Sequence, residues 1–182
     1  MIESALLLID VQQGFDNEKW GSRNNLDAEE NIARLLAHWR AAKAPVIHVQ
    51  HSSTSVDSPL NPKTKGFAFK EIAQPSDSEP VFVKTVNSAF IGTNLEAYLH
   101  DNNLKSLVIV GLTTNHCVST TTRMAANFGF EVSIVSDATA TFDRVGPNGE
   151  TYSAQLLHDV SLVSLHGEFA KVVSTKSVLL SV

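Results

Sequence analysis

The feature of this sequence that most limits its fold is a recurrence of short runs rich in Val, Ile and Leu. They are Ala5–Ile9, Val46–Val49, Val81–Val83, Leu107–Val110 and Val132–Val135, with Lys171–Ser174 as a sixth candidate. The runs are continuous rather than alternating, a pattern suited to strands covered on both faces. Helical spacing fills the gaps between them. Ile32, Leu35, Leu36 and Trp39 recur at i, i+3, i+4, i+7 behind Asp27, with Glu30 three residues on as a variant capping box, and the pattern stops before Pro45. A second helix is expected from about Thr93, with Leu95, Tyr98 and Leu99 turned inward. A third runs from about Asn115 to Phe128 and is closed by Gly129, and a fourth spans roughly Glu150 to Leu165. Strand and helix alternating in this way imply right-handed crossovers and a parallel, doubly wound sheet of about six strands, a three-layer α/β/α fold.

With 182 residues, 43% hydrophobic and 18% charged, residues 1–182 are read as one domain with a single substantial core. Lys plus Arg is 14 against 19 Asp plus Glu, a net charge of −5 with no basic cluster, which argues against nucleic acid as a partner. The apolar run near the start, Ala5–Ile9, is far shorter than the ~20 residues of a spanning helix, and Glu3 stands where a signal peptide would be basic. No membrane association and a cytoplasmic location are therefore expected. The stretch from Ser52 to Pro80 breaks the alternation and carries Pro59, Pro62, Pro75 and Pro80. It reads either as a lid or binding loop or as a mobile surface insertion.

In an open α/β sheet, ligands bind beyond the carboxyl ends of the strands, so polar residues at those ends are the candidates for chemistry. Asp10 follows the first run, Lys84 follows the third, and Cys117 opens the helix after the fourth. Each has an ordinary reading: a turn carboxylate, a solvated surface charge, a buried apolar thiol. Three such groups leaving parallel strands at one edge can nevertheless converge. A thiol at a helix N-terminus beside an ammonium is expected to ionise below the usual ~8.5, which would make it a nucleophile. No GxGxxG or P-loop pattern follows any strand, so no nucleotide cofactor is indicated.

Three segments extend this reading: Leu8-Ile-Asp-Val-Gln-Gln-Gly-Phe15, Lys84-Thr-Val-Asn-Ser-Ala-Phe90 and Val110-Gly-Leu-Thr-Thr-Asn-His-Cys-Val118, followed by Ala125-Ala126, Gly129 and Ser136-Asp137-Ala138. In this order and spacing the chain resembles the isochorismatase-like cysteine hydrolases, among them nicotinamidases and carbamoylsarcosine amidase. The resemblance implies a six-stranded parallel sheet and a catalytic triad of Asp10, Lys84 and Cys117. It also implies a cis peptide between Leu112 and Thr113, and an oxyanion hole formed by the N–H groups of Thr113 and Cys117. The implied activity is hydrolysis of a C–N bond in a small amide, ureide or lactam through a Cys117 thioester. The alternatives are vinyl-ether cleavage of the isochorismate type, which the presence of Cys117 disfavours, and an idle scaffold with the same fold.

Nicotinamidases carry an Asp-x-His metal motif after the second strand, and this sequence departs from it. Val46-Ile-His-Val-Gln-His51 has no Asp, and His48 and His51, three apart on a strand, point to opposite faces. Neither a metal nor any other cofactor is therefore expected, which speaks against nicotinamide as substrate. Phe15, Trp20 and Phe90 are candidate apolar walls of a substrate pocket, each with an equal reading as a core aromatic. His116, adjacent to Cys117 and so about 100° from it around the helix, is expected to line the pocket rather than act as base. The apolar tail Val178–Val182 reads as a subunit contact, a final strand or an arm packed on its own core. A homo-oligomer, dimer or tetramer, is expected by resemblance.

Overall fold

The computed structural model describes residues 2–181. The elements are β1 (Ala5–Ile9), α1 (Ala28–Ala41), β2 (Val46–His51), β3 (Val81–Lys84), α2 (Leu95–Asp101), β4 (Ser106–Leu112), α3 (Ser119–Asn127) and β5 (Glu131–Ala140). These are followed by β6 (Arg144–Val145), β7 (Thr151–Tyr152), α4 (Ala154–Leu165), β8 (Lys171–Val173) and α5 (Thr175–Ser181). Six strands form one sheet in the order β3-β2-β1-β4-β5-β8, all neighbours parallel, and β6 pairs with β7 in a separate hairpin. The chain winds outward from β1 through β2 and β3, then restarts beside β1 with β4 and winds the other way. The reversal of strand order therefore lies between β1 and β4, where such sheets open a crevice beyond their strand ends.

The alternation of side chains along the central strands builds two cores. Leu7, Ile9, Leu107 and Ile109 face one side and pack with Leu95 and Leu99 of α2, Ala125 of α3 and Leu162 of α4. Leu6, Leu8, Val108 and Val110 face the other and meet Ile32, Leu35, Leu36 and Trp39 of α1, with Val178 of α5. The 3.6-residue repeat read in α1 is therefore the stripe that is buried. Trp39 is fully buried, and its indole N–H donates to the Ser4 carbonyl at 2.9 Å, so its one polar atom is satisfied.

Several local expectations are corrected. β3 is an edge strand with alternating burial: Phe82 and Lys84 are buried, whereas Val81 and Val83 are 41% and 49% exposed. Three apolar residues are too few to tell that pattern from a continuous run. Asp27 occupies the N-cap of α1 but makes no side-chain cap, so the capping box with Glu30 does not form. Glu29, one residue earlier, is engaged instead, by Arg23 at 2.8 Å and Lys70 at 2.7 Å. The third helix opens as a wider π turn over Thr114–Val118 before α3 begins. The fourth starts only at Ala154, where Ser153 caps the Leu156 N–H, because Pro147-Asn148-Gly149 turns the preceding residues into the β6–β7 hairpin. The tail is helical, with Val178 buried against α1, so the final-strand reading fails; Val182 lies outside the described residues.

The 52–80 stretch is packed down over the ends of β1 and β2. It contains short 3₁₀ turns at Lys65–Phe67 and Glu71–Ala73, and it buries Leu60, Phe69 and Ala73. Gln12 donates to the Phe67 carbonyl at 2.8 Å, and Arg40 of α1 binds both the Gln74 carbonyl and the Glu79 carboxylate. No helix among the described residues is long and apolar enough to cross a membrane.

The closest backbone approach at the crevice is at Gly111. Its φ is +119°, and a Cβ there would lie 2.0 Å from the Ile9 carbonyl oxygen on the neighbouring strand. Gly111→Ala is expected to destabilise the fold by well over ~1 kcal/mol, because it adds a backbone clash to an unfavourable φ. Gly92→Ala, at φ +73° but facing open space, should cost only about 1 kcal/mol. Urea denaturation of both variants checks this, and a Gly111→Ala protein as stable as the wild type would contradict it.

Candidate active site

Three strand ends at the crevice supply the buried polar groups. Asp10 leaves β1 in a left-handed conformation, φ +53°, uncommon for a non-glycine residue. Its backbone is pinned there: the N–H donates to the Val49 carbonyl at 3.0 Å, and the carbonyl accepts from the Gln12 N–H at 2.8 Å. This sharp turn leaves the carboxylate wholly buried. Lys84, last residue of β3, is two strands away and reaches across the end of β2 to donate to Asp10 Oδ2 at 2.7 Å. Its ammonium also donates to His51 Nδ1 and to the Val86 carbonyl, each at 3.1 Å. All three ammonium hydrogens thus have acceptors, which is what makes complete burial of a lysine tolerable. The other carboxylate oxygen, Asp10 Oδ1, is buried without a hydrogen-bond partner among the described residues.

Cys117 sits in the π turn after β4, 8% exposed, with Sγ 3.8 Å from Asn87 Oδ1. Donor atoms of Asp10, His51 and Cys117 lie within 4.8 Å of one another. The structure therefore brings Asp10, Lys84 and Cys117 together and adds His51 and Asn87, which the strand-end reading did not select. His51 is the last residue of β2 and could have been picked by the same rule as the others.

Such a donor set could serve a metal ion, and the Lys84 ammonium also lies against Asp10 and His51. His48 turns to the opposite face, where Nε2 meets Glu79 Oε2 at 2.8 Å. The two histidines do not form a common ligand set with the residues that replace the Asp-x-His motif.

Burial controls the electrostatics. Desolvation raises the Asp10 carboxyl above the ordinary range, although the Lys84 charge beside it pulls the other way. Desolvation likewise pushes the Cys117 thiol well up, the Asp10 charge adds to it, and the opposing pull of Lys84 is too small to reverse it. The expectation of an acidic thiol is thereby corrected. It gave weight to the ammonium and the helix terminus and too little to loss of water around a nearly buried sulfur.

The candidate pocket walls separate. Phe15 and Trp20 stack with Phe142 at centroid distances of 6.1 and 5.8 Å, in a cluster that includes Leu112 and Ala140 at the ends of β4 and β5. That cluster borders the crevice. Phe90 instead packs against Phe128 and Phe130, and Phe130 precedes β5 at the opposite end of the strands, so Phe90 is a core aromatic and not a pocket wall. His116 is half-buried and makes no bond to Cys117. Its Nδ1 lies 3.2 Å from Arg144 Nη2 and 3.3 Å from Thr113 Oγ1. Since arginine can only donate, Nδ1 is an acceptor and the ring is neutral, in keeping with a pKa lowered by burial and by Arg144. A cavity of about 980 Å³ opens at the far end of the sheet, bordered by Ser106, Glu131, Lys171 and Ser181, and shares no residue with this cluster.

The family model described as the isochorismatase domain matches residues 4–177. This chain belongs to the isochorismatase family. It is 50% identical over 177 residues to the isochorismatase family protein YrdC of Bacillus subtilis, covering 97% of this chain and 95% of that one. It is 30% identical over 183 residues to nicotinamidase 3 of Arabidopsis thaliana, covering 93% and 84%. A solved isochorismatase-family hydrolase from Chromobacterium violaceum superposes with a TM-score of 0.94 at 42% identity, over 98% of this chain and 92% of the other. The chain is thus an isochorismatase-family hydrolase, and the buried cluster at the β1–β4 crevice is its candidate active site.

The electrostatics of this isochorismatase-family site give a test that needs no substrate. The resting thiol should be protonated at neutral pH, so iodoacetamide should label Cys117 with a midpoint above the free-thiol value of about 8.5. Lys84→Met, which removes the one group favouring thiolate, should move the midpoint further up. A midpoint below that of a free thiol would contradict this account of the site.

Proposed function

We propose that this hydrolase cleaves a C–N bond of a small amide, ureide or lactam through a thioester on Cys117, with Asp10 as proton carrier and Lys84 as fixed charge. The observation that supports it most is the asymmetry of the buried carboxylate. Lys84 holds Oδ2 at 2.7 Å, Oδ1 has no hydrogen-bond partner, and a carboxylate oxygen of Asp10 lies within 4.8 Å of a donor atom of Cys117. The relatedness to a nicotinamidase supports an amide-type substrate.

In the first step Asp10 takes the thiol proton as Sγ attacks the carbonyl carbon, forming the C–S bond and placing the electron pair on oxygen. The tetrahedral intermediate collapses, the C–N bond breaks, and protonated Asp10 gives its proton to the departing nitrogen. Water then adds to the thioester with Asp10 again accepting a proton, and the thiol leaves reprotonated. Burial raises both acid groups, yet it does not obstruct this transfer. The proton passes from sulfur to carboxylate beside an unchanged ammonium, so the net charge of the enclosed site stays the same. A group held neutral at rest and ionised only as the bond forms stores its driving force for the transition state.

The oxyanion is assigned to the N–H groups of Thr113 and Cys117. Support comes from the π turn: the Thr113 carbonyl accepts from His116 N–H at 3.1 Å and Val118 N–H at 3.2 Å, passing over the N–H of Cys117. The Leu112–Thr113 peptide immediately before it is cis. Donors already oriented in a dry site are effective where negative charge develops. Phe15 and Trp20, through their cluster with Phe142, supply the apolar side of the pocket, and His116 with Arg144 the polar side.

Cys117→Ala should lower kcat/KM on a responsive amide by at least about 10⁴-fold with the fold intact, and Asp10→Asn should come close to it, since the residues act as a unit. Steady-state release of ammonia or amine checks this. Turnover of the amide surviving in Cys117→Ala would end the covalent reading. Activity should also be unchanged by EDTA. Loss on chelation with recovery on added zinc would show that a metal takes part.

A further inference from the structure

The end of β2 carries a group that this mechanism does not use. β2 lies between β1 and β3, so Lys84 can reach Asp10 only by passing over it, and in the parallel register His51 is the residue directly opposite Lys84. The imidazole stands beneath the crossing side chain and takes one of its hydrogens at Nδ1, 3.1 Å away. An ammonium has no lone pair, so a contact of this kind requires Nδ1 to be unprotonated and the ring proton to reside on Nε2. The tautomer is therefore dictated by Lys84.

His51 is itself held from beneath. The side chain of Gln12, wholly buried, accepts from the His51 backbone N–H at 2.8 Å and donates to the His51 carbonyl at 3.1 Å. A buried amide spent on both backbone groups of one residue fixes where that residue stands. The charged or titratable groups around the ring are Lys84 from β3, Asp10 from the end of β1 and Cys117 from the π turn.

We infer that His51 is a positioning residue of the active site, whose neutral imidazole holds the Lys84 ammonium on Asp10 and so keeps Oδ1 free for the thiol proton. The inference rests on the hydrolase reading given above for its catalytic consequence, but not for the contact itself. Without an acceptor at Nδ1 the fully buried ammonium loses one of its three partners. It then shifts toward the thiol or the free carboxylate oxygen, the two atoms between which the proton must move. A protonated His51 would be worse, placing an N–H opposite an N–H and a second positive charge beside the first. Burial and the Lys84 charge both hold the ring below its ordinary pKa, which keeps it neutral at physiological pH.

Two measurements test this independently. In protein labelled with ¹⁵N at histidine, the His51 resonances, assigned by their loss in His51→Asn, should show the Nε2–H tautomer and a titration midpoint below about 6.5. Lys84→Met should raise that midpoint. A Nδ1–H tautomer, or a midpoint that ignores Lys84, overturns the inference whatever the substrate proves to be. The second measurement compares His51→Asn, which keeps an acceptor one bond from Cγ where Nδ1 was, with His51→Leu, which fills the space without one. The Asn variant should keep kcat within about 10-fold of wild type, and the Leu variant should lose on the order of 100-fold in kcat with KM little changed, the size expected for a hydrogen bond to a buried charge. Equal activity of Leu and wild type would refute the positioning role. An inactive wild type with the Nε2–H tautomer and the Lys84-dependent midpoint in place would refute the hydrolase reading alone.

Discussion

One buried ammonium organises this site. Lys84 extends from the edge strand β3, over β2, to the carboxylate at the end of β1, and its three hydrogens are divided among Asp10, His51 and the Val86 carbonyl. A lysine without exposed side-chain surface is tolerable only when paired and fully hydrogen-bonded, so the geometry of three separate strand ends is tied to a single atom. This explains why the groups sit at the point where strand order reverses. There the ends of β1 and β4 are adjacent yet the chain leaves them in different directions, which opens a space that loops can line and side chains can enter.

The same burial that makes the cluster costly makes it chemically useful. Excluding water raises the proton affinities of Asp10 and Cys117 together. A thiol activated in advance by a low pKa would react with any electrophile that reached it. In the proposed mechanism the ionisation of the thiol waits for a positioned carboxylate, so it reacts when a carbonyl occupies the crevice. The π turn contributes in the same sense, because widening the first turn leaves the backbone N–H of Cys117 outside the hydrogen bonding of Thr113.

Much of this was legible in the residues. The five apolar runs and the α1 stripe of Ile32, Leu35, Leu36 and Trp39 give strand and helix directly, because long periodic patterns and continuous branched runs each have one low-energy burial. Asp10, Lys84 and Cys117 could be found by asking which polar groups terminate strands. The failures have physical causes too. In β3 a three-residue run carries no period, so its exposed edge face was invisible. Phe90 lies within a family motif yet packs away from the crevice, since motif position does not fix side-chain direction. Sequence spacing sets His51 only beside His48, whereas its partner in the structure, Lys84, lies 33 residues away across a strand pairing that local spacing cannot reveal. The direction of the thiol shift depended on the extent of burial, which emerges only when the 52–80 cover and the neighbouring strands are in place.

Covalent chemistry at the Cys117 sulfur is tested most directly by intact-protein mass spectrometry on rapidly acid-quenched turnover mixtures. With an amide that the protein consumes, a transient mass increase equal to the acyl group should localise by peptide mapping to Cys117, and it should rise and decay on the timescale of turnover. Steady turnover under conditions that preserve thioesters, with no acyl mass on the protein and with turnover retained in a Cys117→Ala variant, would contradict it.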